Sequence, residues 1–309
     1  MNKYQNILAV IDPTTDEQKA LKRSIQLAQH TNASITAFLS IFDFSYEMTT
    51  MLSGDEREAM RQTVIDDRLE WMNDLVSQLN INGLTINTKV VWHNRPFESI
   101  INEVLEHDHD IVIKGTHEHD KLKSVIFTPT DWHILRKCPC PVLLVKDHLW
   151  PEKGNILAAI NAGSDEDEHR SLNHKITAHA NHLAKVINAN VHLVNSFPGT
   201  PINIAIEIPE FNANEYNTGM LTHHKKAMAS HCEQYNIAED RTHIEEGLPE
   251  DVIEDVANKI DAELVILGTI GRTGLSATLI GNTAEHVLDR LNCDVLALKP
   301  DGYVSPLTK

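Results

Sequence analysis

The sequence predicts an α/β protein with two tandem domains, each a doubly wound, mostly parallel sheet of five strands flanked by helices. Three observations predict this fold class. The chain has 309 residues, more than a single domain usually holds. Its two halves repeat one another, and within each half strand and helix patterns alternate. Such alternation is typical of parallel sheets with right-handed crossovers.

The repeat consists of matching segments at a nearly constant spacing. NILAVID at the start of the chain resembles NILAAIN (155–161), and IVIKGT (111–116) stands 153 positions before LVILGT (264–269). A period of about 150 residues is that of a duplicated domain and not that of a solenoid. We therefore expect one domain at 1–148, a second at 154–300 and a C-terminal tail at 301–309.

The patterns of the first half follow a regular order. ILAVI (7–11) is a continuous apolar run, as expected of a strand buried on both faces. Pro96 suits the first turn of a helix. The other predicted elements are helices at 16–30, about 55–79 and about 130–137, and strands at 34–42, 85–92, 111–115 and 142–146. In such sheets ligands bind beyond the carboxyl ends of the strands, so we expect a site in the loops after strands one, two and four.

Composition and charge exclude several classes of function. Against 44 acidic residues there are only 27 Lys and Arg, a formal charge of −17, and the chain has no extended basic patch. We therefore expect no direct binding of nucleic acid. No run reaches the ~18 apolar residues of a membrane span, and the first residues do not read as a signal peptide. Four cysteines do not make a disulfide framework, so we expect a cytoplasmic protein.

A glycine-rich loop follows the fourth strand of the second half. Gly268, Gly271 and Gly281 form the pattern G-x2-G-x9-G, and a helical pattern begins after the last of them. Glycines let the backbone approach a ligand closely, and the N–H groups at a helix start favour an anion. The loop is thus a candidate for holding phosphate, although glycines in a loop can equally serve tight turns alone.

Strand one ending in an acid (ILAVID), this glycine loop after LVILGT and the terminal CDVLALK strand together resemble the universal stress protein superfamily. The resemblance covers essentially both halves, and segments such as VVWHNRPFESI are similar to the tandem members in gamma-proteobacteria. It implies the adenine nucleotide alpha hydrolase-like fold and a role in tolerance of stress such as DNA damage. In members that bind ATP, it implies a glycine loop around the phosphates, followed by Ser or Thr, and an Asp after strand one near the ribose.

The second half keeps the three glycines but departs from that pattern elsewhere. Asn161 replaces the acid, and Asn282 replaces the hydroxyl residue, which comes one position later as Thr283. Both asparagines can still form hydrogen bonds. The nucleotide predicted for this domain is ATP or AMP. The residues of the predicted site are Asn161, Gly268, Gly271, Arg272, Gly281, Asn282 and Thr283.

The first half shows the opposite departures. Asp12 is present, but Glu118 stands at the position of the second glycine and Thr128 at that of the third, followed by Pro129. A carboxylate would face the phosphate position, and proline removes a backbone donor. We expect a degenerate site here.

An apolar segment after the second strand of each half favours another ligand class. The second-half segment carries isoleucines at alternate positions, and the first-half segment (41–53) is rich in aromatic residues and methionine. These segments either close the core or line a pocket for an acyl chain or another hydrophobic metabolite. The residues proposed for that pocket are Ile202, Ile204, Ile206, Ile208, Phe42 and Phe44.

Other motifs are discounted. HDHD (107–110) and HEHD (117–120) contain metal-binding residue types, but consecutive loop residues rarely converge on one ion, so we expect no metal site. We expect His223 and His224 to face solvent on a long helix. The chain has no G-x-S-x-G elbow, no P-loop and no H-E-x-x-H motif, so we expect no enzyme, with slow ATP hydrolysis left open.

The leading hypothesis is a cytoplasmic stress-response protein that binds a small ligand without catalysis. The alternatives are a scaffold with two degenerate pockets and, least favoured, a weak ATPase. In the family that the chain resembles, single domains commonly dimerise through their last strands. The resemblance therefore implies contact between VLLVK (142–146) and VLALK (295–299) as an intramolecular pseudo-dimer, with further pairing into a homodimer left open.

Overall fold

The chain forms two compact units, each built around five parallel strands. The computed structural model describes residues 4–48, 51–79, 81, 83–118, 125–200, 211–269 and 281–307. Of the side chains, those of 117, 118, 125, 126, 282 and 283 lie outside this description. Among the helices of the described ranges, none is long and apolar enough to cross a lipid bilayer.

The first unit alternates strands and helices as the sequence predicts. Its strands pair in the order β7-β4-β1-β2-β3, and every neighbouring pair is parallel. Its elements are β1 (Asn6–Val10), α1 (Lys19–Thr31), β2 (Ser34–Ile41), α2 (Phe44–Glu47), α3 (Gly54–Ser77), β3 (Ile86–Trp92), α4 (Pro96–His107), β4 (Ile111–Gly115), α5 (Pro129–Lys137) and β7 (Val142–Val145). Two short strands, β5 (His117–Glu118) and β6 (Val125–Ile126), lie between β4 and α5 in the chain.

Local chemistry explains where these elements begin and how they are buried. Ile7, Leu8 and Ala9 of β1 are fully buried, as expected of a central strand covered on both faces. Ser53 begins α3 through a capping box with Glu56. The short helix α2 was not predicted, because a four-residue helix is too brief to show helical periodicity.

The second unit repeats the plan. Its strands pair in the order β12-β11-β8-β9-β10, again all parallel. Its elements are β8 (Asn155–Ala159), α6 (Asp167–Ile187), β9 (Asn190–Phe197), α7 (Ala213–Tyr235), a 3-10 turn (Glu239–Arg241), β10 (Thr242–Glu246), α8 (Pro249–Lys259), β11 (Ala262–Gly268), α9 (Asn282–Arg290) and β12 (Asp294–Leu298). The predicted α/β class with parallel sheets is confirmed in both units.

The strand order also locates a crevice at the carboxyl ends of the strands in each unit. In the first unit the first strand lies between the second and the fourth, and the same holds in the second unit. The chain therefore leaves the sheet in opposite directions from two neighbouring strands, β1 and β4 or β8 and β11. Such a switch point leaves a crevice at the carboxyl ends of those strands, where α/β proteins bind ligands.

Candidate functional site

The second unit has a cavity of about 500 Å³ at this crevice. It lies at the carboxyl ends of β8, β9 and β11, where Asn161, Ser196 and Gly268 line it. A volume of this size lies within the 300–1,000 Å³ range typical of small-molecule sites. Three of the residues predicted for the second-half site, Asn161, Gly268 and Gly281, thus meet around one cavity.

Much of the cavity lining is apolar and comes from both helices and strands. Helix α6 contributes Leu172 and Ile176, and α8 contributes Ile253. Leu267 of β11 and Val287 of α9 also belong to this lining. A ligand would therefore be in contact with carbon over much of its surface, and polar contacts would come from the ends of strands and the start of α9.

The backbone at the end of β8 is held by a two-point clamp from α6. Asn161 N donates to Asn173 Oδ1 at 2.9 Å, and Asn173 Nδ2 donates to Asn161 O at 2.8 Å. The clamp uses both polar atoms of the Asn173 amide, so the peptide groups of Asn161 are fixed relative to α6. The first unit has the same arrangement with another residue type, because Gln18 holds Asp12 through Asp12 N to Oε1 (2.9 Å) and Nε2 to Asp12 O (2.7 Å).

The loop after β8 is held from the other side by α7. Ala162 N donates to Asn195 Oδ1 at 2.8 Å, and Asn195 Nδ2 donates to His224 Nδ1 at 2.8 Å. His223 Nε2 donates to Gly163 O at 3.2 Å. A Cβ added at Gly163 would lie 2.1 Å from Cε1 of His224, so only glycine allows the imidazole to pack this closely.

The prediction that His224 faces solvent is therefore wrong. The residue is only 5% exposed, lines the cavity and stacks on Phe197 with ring centroids 5.3 Å apart. Burial, with a smaller contribution from neighbouring His223, lowers the pKa of His224. The consecutive histidines carried no periodic signal for burial, whereas His223 is exposed as expected.

The two described glycines of the loop pattern have different roles. A Cβ at Gly268 would lie 2.5 Å from Cδ2 of Leu172, so this glycine allows α6 to pack against the end of β11. Gly281 is the N-cap of α9, its N donates to Thr269 O at 3.0 Å, and among the described residues the nearest atom to an added Cβ would be Thr269 O, 4.0 Å away. The start of α9 therefore lies at the cavity that Gly281 lines, where its N–H groups favour negative charge.

Some predicted residues lie outside the described part of the chain. Gly271, Arg272 and the four isoleucines Ile202, Ile204, Ile206 and Ile208 belong to segments 270–280 and 201–210. The side chains of Asn282, Thr283 and Glu118 are also outside it. Phe42 and Phe44 are described: Phe44 is 64% exposed, Phe42 packs on Trp92 with centroids 5.8 Å apart, and neither lines the cavities of the two units.

The first unit has a smaller cavity, of about 280 Å³, at the equivalent crevice. Asp12 lines it, but its Oδ1 accepts hydrogen bonds from Thr14 N (2.9 Å) and Thr14 Oγ1 (2.6 Å) of its own loop. Thr128 also lines it and begins α5 through a capping box with Asp131. Both polar groups therefore have hydrogen-bond partners within the unit.

Comparisons with known proteins agree with this architecture. The model of the universal stress protein family matches residues 3–146 and again 154–299. Universal stress protein E of Escherichia coli K12 is 53% identical over 308 residues, which cover 99% of this chain and 98% of the relative. A homologue of that protein from Haemophilus influenzae is 42% identical over 303 residues, 96% of this chain and 98% of the relative.

Solved structures are similar over nearly the whole chain. A functionally unknown protein from Pseudomonas aeruginosa PAO1 has 32% identity and a TM-score of 0.77, with coverage of 96% of this chain and 93% of that one. A putative universal stress protein from Pseudomonas aeruginosa UCBPP-PA14 has 33% identity, a TM-score of 0.75 and coverage of 96% and 94%. The resemblance predicted from the sequence is thereby confirmed.

Proposed function

Because the chain belongs to the universal stress protein family, we propose that its second domain binds a small ligand in the cavity at the carboxyl ends of β8, β9 and β11. The protein would act in the stress response through this ligand, without catalysing a reaction, and in the cytoplasm. The observation that carries the proposal is the cavity of about 500 Å³ with Asn161, Gly268 and Gly281 around it.

A nucleotide is the first candidate ligand. The G-x2-G-x9-G pattern and the start of α9 support a phosphate position near Gly281. Asn161 lies at the end of β8, where its amide could form a hydrogen bond with a ribose hydroxyl. The apolar residues Leu172 and Ile253 would then contact the base or the sugar. ATP and AMP both fit this class.

A hydrophobic metabolite, such as an acyl chain, is the second candidate. It is favoured by the apolar part of the lining, to which Ile176, Val194, Leu267 and Val287 belong. An acyl chain with a polar head would place the chain against this apolar lining and the head near the start of α9. The two candidates differ in which part of the cavity supplies the binding energy.

Ligand-dependent thermal stabilisation of the full-length protein tests the proposal. A ligand that binds only the folded state raises its apparent stability by RT ln(1 + [L]/Kd), so the increase grows with the logarithm of ligand concentration. We expect ATP, AMP or a fatty acid to raise Tm, and native mass spectrometry of the purified protein to show one added mass per chain. If none of them shifts Tm and the mass is that of the protein alone, the scaffold hypothesis replaces this one.

Two matched variants locate the site. Ala284 lines the second cavity, so Ala284→Leu should fill it and abolish the shift in Tm. Thr130 lines the first cavity, so Thr130→Leu adds bulk to the other domain and should leave the shift unchanged. Loss of binding in the Thr130 variant alone would contradict a site in the second domain. Release of phosphate from ATP above the blank by the wild-type protein would contradict the absence of catalysis.

A further inference from the structure

The two cavities stand at equivalent positions of the repeat but differ in volume. The offset of 153 carries Gly115 and Thr128, which line the first cavity, onto Gly268 and Gly281, which line the second. Yet the first measures about 280 Å³ and the second about 500 Å³. Something in the first domain takes up space that the second domain leaves open.

An ion pair of the first domain stands where the second domain has two apolar residues. The same offset carries Lys114 onto Leu267 and Asp131 onto Ala284. Lys114 Nζ, at the end of β4, lies 2.7 Å from Asp131 Oδ1 in α5. Leu267 and Ala284 both line the larger cavity. Aspartate for alanine adds volume at α5, and the lysine stem reaches from β4 to meet it.

The ion pair is closely integrated into the first domain. Asp131 is fully buried, and the side chain of Lys114 is 12% exposed. The other carboxylate oxygen, Oδ2, accepts from Thr128 N at 2.7 Å and from Thr128 Oγ1 at 2.8 Å. Lys114 Nζ also donates to Gly115 O at 3.2 Å. Both charges therefore have partners that belong to the walls of the small cavity itself.

Stability alone does not explain such a pair. The free-energy cost of removing two charges from water offsets most of the gain from their attraction. A protein that has well-packed apolar residues of similar volume in their place is often as stable. The ion pair does, however, restrict which ligands can enter the cavity of the first domain. A ligand that displaced Lys114 would leave the Asp131 carboxylate buried without its cation, which is strongly unfavourable. A nucleotide or an acyl chain offers no positive charge to replace the ammonium group.

We infer that the Lys114–Asp131 ion pair is a specificity-determining element, which narrows the first domain's site and excludes from it the ligands that the second domain takes. The chain then binds one ligand and not two. This inference rests on the proposed function for the identity of the ligand, but the narrowing of the cavity can be tested without any ligand.

Xenon is a suitable probe, because it enters apolar cavities irrespective of their biological ligand. Crystals of the full-length protein under xenon pressure would be compared for the wild type, K114A/D131N and K114M/D131N. Both double variants remove the charges and keep an acceptor for the Thr128 cap, and they differ only in the volume at position 114. We expect a higher xenon occupancy in the first domain of K114A/D131N than in that of the wild type or of K114M/D131N, close to the occupancy in the second domain.

The converse exchange is L267K/A284D, which transfers the pair to the second domain and should lower the xenon occupancy there. K114V/D131N replaces K114A/D131N if the latter does not fold, since valine suits a strand. A xenon occupancy in the first domain of the wild type equal to that in K114A/D131N would overturn the inference. So would equal uptake by K114M/D131N and K114A/D131N, or no uptake by a folded K114A/D131N. A wild type that takes up xenon in its second domain but is stabilised by neither nucleotide nor fatty acid contradicts the proposed function and leaves this inference standing.

Discussion

Asn195 Nδ2 donates a hydrogen bond to His224 Nδ1 at 2.8 Å, and this contact joins the end of β9 to the long helix α7. The other amide atom of Asn195 accepts from Ala162 N, so the pair also holds the loop that carries Asn161. Both side chains are buried. The position of that loop at the cavity thus depends on a histidine that lies far from it in the sequence.

Replacing His224 should loosen the loop after β8. His224→Ala leaves the Asn195 amide buried without its acceptor, and we expect a loss of about 1–3 kcal/mol in the free energy of unfolding. Hydrogen exchange at the Ala162 amide should accelerate in the variant. His223→Ala is the matched control, because His223 is exposed and makes a longer contact, of 3.2 Å, with Gly163 O. Equal effects of the two substitutions would show that the contact with Asn195 does not hold the loop.

The stability of the second domain should fall as the pH is lowered below neutral. Burial lowers the pKa of His179 to about 4 and that of His231 to about 4, with smaller contributions from Lys175 and His174 respectively. The folded state therefore binds fewer protons than the unfolded state between about pH 4 and pH 6.5, so stability is fully present above that window and is lost as the pH falls through it. Each histidine contributes a slope of at most about 1.4 kcal/mol per pH unit.

A variant that lacks the His231 imidazole tests this dependence of stability on pH. His231 Nε2 lies 2.8 Å from Thr177 Oγ1, which donates its own proton to Asn173 O, so the histidine is the donor. His231→Gln keeps a donor and removes the titration. We expect urea midpoints measured from pH 7 to pH 5 to fall less steeply in this variant than in the wild type. Parallel curves would mean that His231 is protonated equally in the folded and unfolded states.

The Lys114–Asp131 pair should show strong coupling in a double-mutant cycle. Lys114→Met leaves a buried carboxylate without its cation and Asp131→Asn leaves a cation without its carboxylate, so each single change should cost about 3–5 kcal/mol of unfolding free energy. The double variant K114M/D131N should cost less than either single variant, since neither charge remains. Chemical denaturation of the four proteins measures the coupling. Additive losses would show that the two charges do not interact.

Gly268 and Gly281 should respond differently to the same substitution. The methyl group of Gly268→Ala would lie 2.5 Å from Leu172 Cδ2, so we expect a loss of about 1–3 kcal/mol through overpacking. Among the described residues, the methyl group of Gly281→Ala would approach Thr269 O to 4.0 Å and nothing more closely, and the backbone is ordinarily extended, so the cost should be under about 1 kcal/mol. Thermal unfolding compares the two. If the clash is the cause, Gly268→Ala should cost less in a Leu172→Ala background than in the wild type.

Much of the fold was predictable because periodicity reports burial along one element. The apolar run 7–11 predicts a central strand, and β1 is fully buried at Ile7, Leu8 and Ala9. The alternation of strands and helices determines parallel pairing and the crevice at the carboxyl ends. The convergence of Asn161, Gly268 and Gly281 on one cavity follows from that order, since each stands just beyond a strand or at the start of a helix.

By itself, then, the sequence determined the duplicated α/β plan, the family and the edge of each sheet where a ligand would bind. Tertiary structure alone decided that His224 turns inward, that Asn173 and Gln18 clamp equivalent strands, and that Lys114 meets Asp131. The physical reason is that a periodic pattern identifies the buried face of an element but not its partner across the core. Contacts between polar side chains depend on loop length, helix position and rotamer, which are set only when the elements pack together.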